Sequence, residues 1–99
     1  MTFQAALARE IRRLFPGCPP GQAEAIARHT AVRGSGWVGR SAAGQALEEQ
    51  AVTLAVIASV RHTDTHYDDL LMSGTPREEA RALVNSDIHQ ILDSWRREA

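Results

Sequence analysis

The chain has 99 residues, is 43% hydrophobic and carries a formal charge of -1, which suits one compact core and is too short for two ordinary domains. No run reaches the roughly 18 apolar residues of a membrane helix, and Arg9 and Glu10 interrupt the start where a secretory signal would need an unbroken apolar stretch. The single cysteine, Cys18, excludes an internal disulfide and a cysteine-rich zinc site, and fits a cytoplasmic setting.

The charge is unevenly spread. Residues 1 to 44 hold six Arg against two Glu, and residues 45 to 99 hold five Arg against ten Asp and Glu, about +4 and -5. Such a split serves either an anionic partner on one face or complementarity within the fold.

Thr2 is placed to cap a first helix in which Phe3, Leu7, Ile11 and Leu14 share one face, ending near Phe15. Pro16 to Gly21, with three prolines, forms a rigid turn. A second helix from about Pro20 to Arg33 turns Ala23, Ile26, Ala27 and Thr30 to one side, with Glu24 four residues before Arg28 in the favourable order. His29 and Arg33 lie on another stripe; His29 reads as a surface histidine before a catalytic one.

Residues 34 to 44 carry four glycines, at 34, 36, 39 and 44. Converging backbone N–H groups on such a loop can bind an anion, so Gly34, Ser35, Gly36, Gly39, Arg40 and Ser41 are candidate phosphate contacts together with Arg33. The pattern is neither a P-loop nor a dinucleotide fingerprint, and an ordered connection whose Trp37 or Val38 plugs the core is the plain alternative.

A helix from about Gln45 to Arg61 follows, polar between Ala51 and Val60 only at Thr53 and Ser59, and therefore expected to be enclosed by the other elements. Its β-branched residues also suit a strand, but its length and its alanines favour helix. Thr65 then resembles a cap for a short helix through Met72, closed by Gly74. Thr75-Pro76-Arg77-Glu78 reads as cap, first-turn proline and capping-box glutamate. In the final helix Ala80, Val84, Ile88, Ile91 and Trp95 repeat at spacings of three and four. The expectation is an all-α fold: one small irregular or orthogonal bundle of four main helices plus one short helix, around a central apolar helix at about 45–61.

The stretch from Arg61 to Asp69 is the densest group of ionisable and hydroxyl side chains. Three readings compete. His62, Asp64, His66 and Asp68 suit zinc or manganese by residue type but not by helical face, so no metal or other cofactor is expected. Alternatively Arg61, His62, Thr65, Tyr67 and Asp68 belong to a phosphate or nucleic-acid surface, although a straight helix 45–61 separates this corner from the glycine loop by about 25 Å. In the third reading the cluster is a clasp in which Arg61 pairs with Asp68 or Asp69 and Thr65 caps the next helix. No catalytic residue is assigned: Cys18 lacks an adjacent base, and Ser41, Ser59 and Ser73 lie in no recognisable nucleophile elbow.

Three stretches, Gly34 to Ser41 (G-S-G-W-V-G-R-S), Ala51 to His62 (A-V-T-L-A-V-I-A-S-V-R-H) and Arg61 to Leu71 (R-H-x-x-T-x-Y-D-x-L-L), together with I-R-R-L-F-P at Ile11 to Pro16, resemble a family of bacteria and fungi known as domain of unknown function 2293. Arg61, His62, Thr65, Tyr67 and Asp68 match its motif; Asp64 and His66 occupy free positions, and Trp37 stands where a small or basic residue is expected. The resemblance implies a helical domain and no activity. The expected function is a non-enzymatic module contacting phosphate, in the first place that of nucleic acid. A protein-interaction or structural domain is the alternative and a small hydrolase the third. It is expected to be a monomer or weak homodimer, with no membrane contact.

Overall fold

The computed structural model describes residues 2–33 and 48–97, the side chain of Arg33 excepted. These form five α-helices and no strand: α1 Phe3–Leu14, α2 Pro20–Arg33, α3 Glu49–Thr63, α4 Tyr67–Met72 and α5 Arg77–Arg96. The all-α bundle expected from the sequence is observed.

α1 starts as its sequence dictates. The Thr2 hydroxyl accepts from the Ala5 N–H at 3.0 Å, supplying one of the acceptors that a helix N-terminus lacks. Leu7, Ala8 and Ile11 are buried against Ala23, Ile26 and Ala27 of α2, and the small residues of α2 let these two helices pack most extensively. Glu24 pairs across this interface with Arg12 instead of with Arg28 four residues on; both partners are about half exposed, so the pair adds at most about 1 kcal/mol.

α3 contacts all four other helices and buries Val52, Val56 and Val60, the central position expected of it. Its bounds differ from 45–61. Glu48 is extended (φ -67°, ψ 125°), so the helix starts at Glu49, while residues 45–47 lie outside the described residues. At the other end Asp64 N–H donates to Val60 C=O at 2.8 Å, extending the helix to Thr63. The expected enclosure is also incomplete: among the described residues Ala58 is exposed and Leu54 is 58% exposed.

α4 ends in a Schellman motif. Gly74, at φ +95°, sends its N–H to Leu71 C=O at 3.1 Å, and Thr75 N–H reaches Leu70 C=O at 2.9 Å. This overturns the capping expected of Thr75. The cap of α5 is Pro76 (φ -57°, ψ 145°), which has no side-chain acceptor; its carbonyl accepts from Ala80 N–H at 2.9 Å. Thr75 is committed through its backbone to the preceding helix. Gly74→Ala is therefore expected to lose about 1–2 kcal/mol, the cost of left-handed backbone for an L-residue, since a Cβ there meets nothing within 4 Å. Thr75→Ala is expected to change stability by less than about 0.5 kcal/mol. Urea denaturation of both variants checks the pair.

α5 buries Ala80, Val84, Ile88, Leu92 and Trp95. Leu92 replaces Ile91, which is only half-buried, as the fully buried member of its stripe. Its C-terminal end meets the Pro16–Cys18 turn, where Gly17 N–H donates to Trp95 C=O at 2.6 Å. No helix among the described residues is long and apolar enough to cross a membrane.

Candidate functional site

The corner between α3 and α4 gathers the polar cluster. Leaving α3 at Thr63 and entering α4 at Tyr67, the chain brings residues six apart together. The Arg61 guanidinium carbon stands 5.9 Å from the centre of the Tyr67 ring, near the limit of a cation–π contact. His62 Nδ1 lies 2.5 Å from Asp68 Oδ2. Between these pairs the Thr65 hydroxyl donates to Arg61 C=O at 2.5 Å and accepts from Tyr67 N–H at 3.2 Å. Thr65 thus joins the end of one helix to the start of the next, as an N-terminal cap does, although His66 holds the formal cap position.

Arg61, Thr65 and Tyr67 thus form one contacting group and His62 and Asp68 a second beside it in the chain, with one correction to the expected clasp. Asp68 pairs with His62, not with Arg61, and no ion pair joins Arg61 to Asp69. The turn Thr63 to His66 places position 62 opposite 68 and position 61 opposite the ring of 67, so Arg61 meets an aromatic face instead of a carboxylate. Arg61 Nε is buried and has no acceptor among the described residues.

The other expected site residues stand differently. Arg33 ends α2, and Gly34, Ser35, Gly36, Gly39, Arg40 and Ser41 lie outside the described residues, as does Trp37. Among the described residues no three His, Cys, Asp or Glu side chains are grouped as metal ligands.

One polar contact had no sequence signal. The Gln22 amide of α2 donates to both Asp64 oxygens, at 3.0 and 2.9 Å, across 42 residues of chain. Thr63 Oγ1 lies 2.9 Å from Ser59 C=O and 2.7 Å from Asp64 Oδ1. Beside these bonds is an open cleft of about 230 Å³ lined by Gln22, Ala25, Ile26, His29, Ser59, Thr63 and Asp64. The Gln22–Asp64 bonds tie α2 to the end of α3.

Near this tie sits Cys18, buried. Burial, and secondarily the charge of Asp64, push its thiol up to about 11. Because the folded value lies above the ordinary one of 9.0, any stability linked to the neutral thiol is complete below pH 9 and is lost as pH rises through about 11. The thiol is the wrong form for a nucleophile at neutral pH. Native protein at pH 8 is expected to react with a thiol-specific reagent at least about 100-fold more slowly than urea-unfolded protein; equal rates would show the thiol to be accessible.

These features define a class: a small all-α bundle. The chain belongs to the family described as uncharacterized conserved protein (DUF2293), whose model matches residues 10–96. Neither a curated protein nor a solved structure matches the chain significantly.

Proposed function

We propose that this domain is a non-enzymatic protein-interaction module of the cytoplasm, in which the Arg61 to Asp68 motif braces the fold and the working surface is the outer face of α3. The observation carrying this is the exposure of Leu54 and Ala58 on a helix whose apolar character runs nearly all round. Apolar side chains of a helix buried on one face and bare on the opposite one gain by covering the second against another chain. The motif supports the same reading, because His62, Thr65 and Asp68 spend their bonding groups on one another or on nearby backbone.

Contact with phosphate, including nucleic acid, is the second reading, and the Arg61 Nε, without an acceptor among the described residues, favours it. The neighbouring carboxylates of Asp64, Asp68 and Asp69 oppose a polyanion, as does the net charge of -1. Fluorescence anisotropy with short RNA and DNA, single- and double-stranded, at several salt concentrations separates the two. The interaction module is expected to bind none of them at low salt, and Arg61→Ala to lose about 1 kcal/mol of stability through the Tyr67 contact and stem packing. Binding that weakens across all sequences in Arg61→Ala, with unchanged stability and a salt slope reduced by about one, would install the phosphate reading instead.

A further inference from the structure

Resting on that interaction reading, we infer that the outer face of α3 is the seam of an antiparallel homodimer. In it Leu54 seats against Ala58 of the partner subunit, and Arg61 pairs with Glu48 of the partner subunit.

The seam follows from helical phase. Val52, Val56 and Val60 point into the core, while Ala51, Leu54, Ala58 and Arg61 recur at spacings of three, four and three, the a/d pattern of a two-helix seam. A step of seven residues turns an α-helix by only about 20° off register, so Leu54 and Arg61 lie on one stripe. Ala51 and Arg61 are half-buried and Ala58 is exposed, with Leu54 the large apolar side chain on the seam. Alanine at two of its four positions permits close approach of a second helix.

Shape and charge together choose the occupant and its direction. A parallel, in-register copy would set Leu54 on Leu54, Ala58 on Ala58 and Arg61 on Arg61, leaving a gap at the small pair and placing like charges together. In an antiparallel copy that matches large to small, position 54 faces 58 and position 61 faces 51. Glu48 of the partner subunit is then three residues further along, about 4.5 Å, within reach of an arginine. Glu48 is exposed, caps nothing with its side chain, and joins no ion pair among the described residues; Arg61 has no carboxylate partner there either. A two-fold axis makes each contact occur twice, so the two charges of each chain that lack an ion-pair partner among the described residues are satisfied by one operation. The stretch from 51 to 61 is only about 15 Å long, which sets the expectation of a weak dimer.

Analytical ultracentrifugation of the full chain from roughly 1 μM to 1 mM tests this. The expected result is a concentration-dependent dimer whose Kd rises at least about tenfold in Ala58→Arg. Position 58 is an exposed helical site that accepts arginine without loss of fold, so an unchanged thermal melt by circular dichroism is required of that variant. Glu48→Arg is expected to weaken the dimer, and the exchange Glu48→Arg with Arg61→Glu to recover it. Mild oxidation of mixed Leu54→Cys and Ala58→Cys chains is expected to link 54 to 58 in preference to 58 to 58, since Cys18 is buried. Wild type that stays monomeric throughout overturns the dimer, as does a dimer indifferent to Ala58→Arg. Anisotropy with labelled RNA on the same samples keeps the two failures apart: a monomer that binds RNA defeats the interaction reading too, whereas a monomer that binds none defeats only the homodimer.

Discussion

Phe15→Ala is expected to lose about 3–5 kcal/mol of stability, the range for truncating a fully buried aromatic side chain. Phe15 follows the last residue of α1, is 1% exposed, and carries the Arg96 guanidinium 5.3 Å from its ring centre. It belongs to the one buried cluster that also contains Leu7, Ile26, Val56 and Trp95, so its removal opens a void between α1, α2 and the end of α5. Small domains have about 5–15 kcal/mol in total, and the variant should stand close to unfolding at room temperature. Urea denaturation monitored at 222 nm checks it; Phe15→Leu, which restores most of the volume, should recover more than half of the loss. A midpoint for Phe15→Ala near that of wild type would mean that this corner of the core is not packed as described.

Gly17→Ala is expected to lose about 3 kcal/mol, for a steric reason. A Cβ at Gly17 would stand 2.9 Å from Ser94 O, 3.0 Å from Arg97 O and 3.0 Å from Trp95 Cα. All three are backbone atoms, so no side-chain rotation relieves the overlap, and the bond from Gly17 N–H to Trp95 C=O must lengthen with it. Gly21 supplies the opposite case. A Cβ there meets nothing within 4 Å, and alanine in the first turn of α2 should gain about 0.5 kcal/mol from its better helix propensity. The same substitution four residues apart thus has opposite expected signs. Thermal unfolding of the two variants side by side reads the difference, and a Gly17→Ala melt equal to wild type would break the proposed docking of α5 on the turn.

The helices were legible because their signals are local. Thr2 caps α1, Pro16 to Pro20 break the chain, Gly74 ends α4, and the stripes of α1 and α5 face the core as their spacing selects, although Phe3, Leu14 and Ile91 are only half-buried and Leu92 takes the buried place of Ile91. The failures have local causes as well. A threonine before a proline serves equally as the cap of the following helix or as the outermost residue of a Schellman motif, and the choice falls when Thr75 N–H finds Leu70 C=O. At the corner, the sequence placed Arg61, His62, Thr65, Tyr67 and Asp68 within a few residues of one another. Which base meets which acid depends on the direction in which the chain turns between Thr63 and His66.

What the sequence determined by itself is the set of helices and their buried faces, since hydrogen bonding within a helix and the burial of one stripe need only neighbours three or four residues away. Tertiary structure alone decided the pairings. Glu24 meets Arg12 of another helix instead of Arg28 of its own, Gln22 reaches Asp64 across 42 residues, and His62 takes the carboxylate expected for Arg61. It also decided that Leu54 stays open while Val52 and Val56 close. All four are apolar or polar choices of nearly equal local energy, and only the packing angle between whole helices sets which side chains come within reach and which face is left to water.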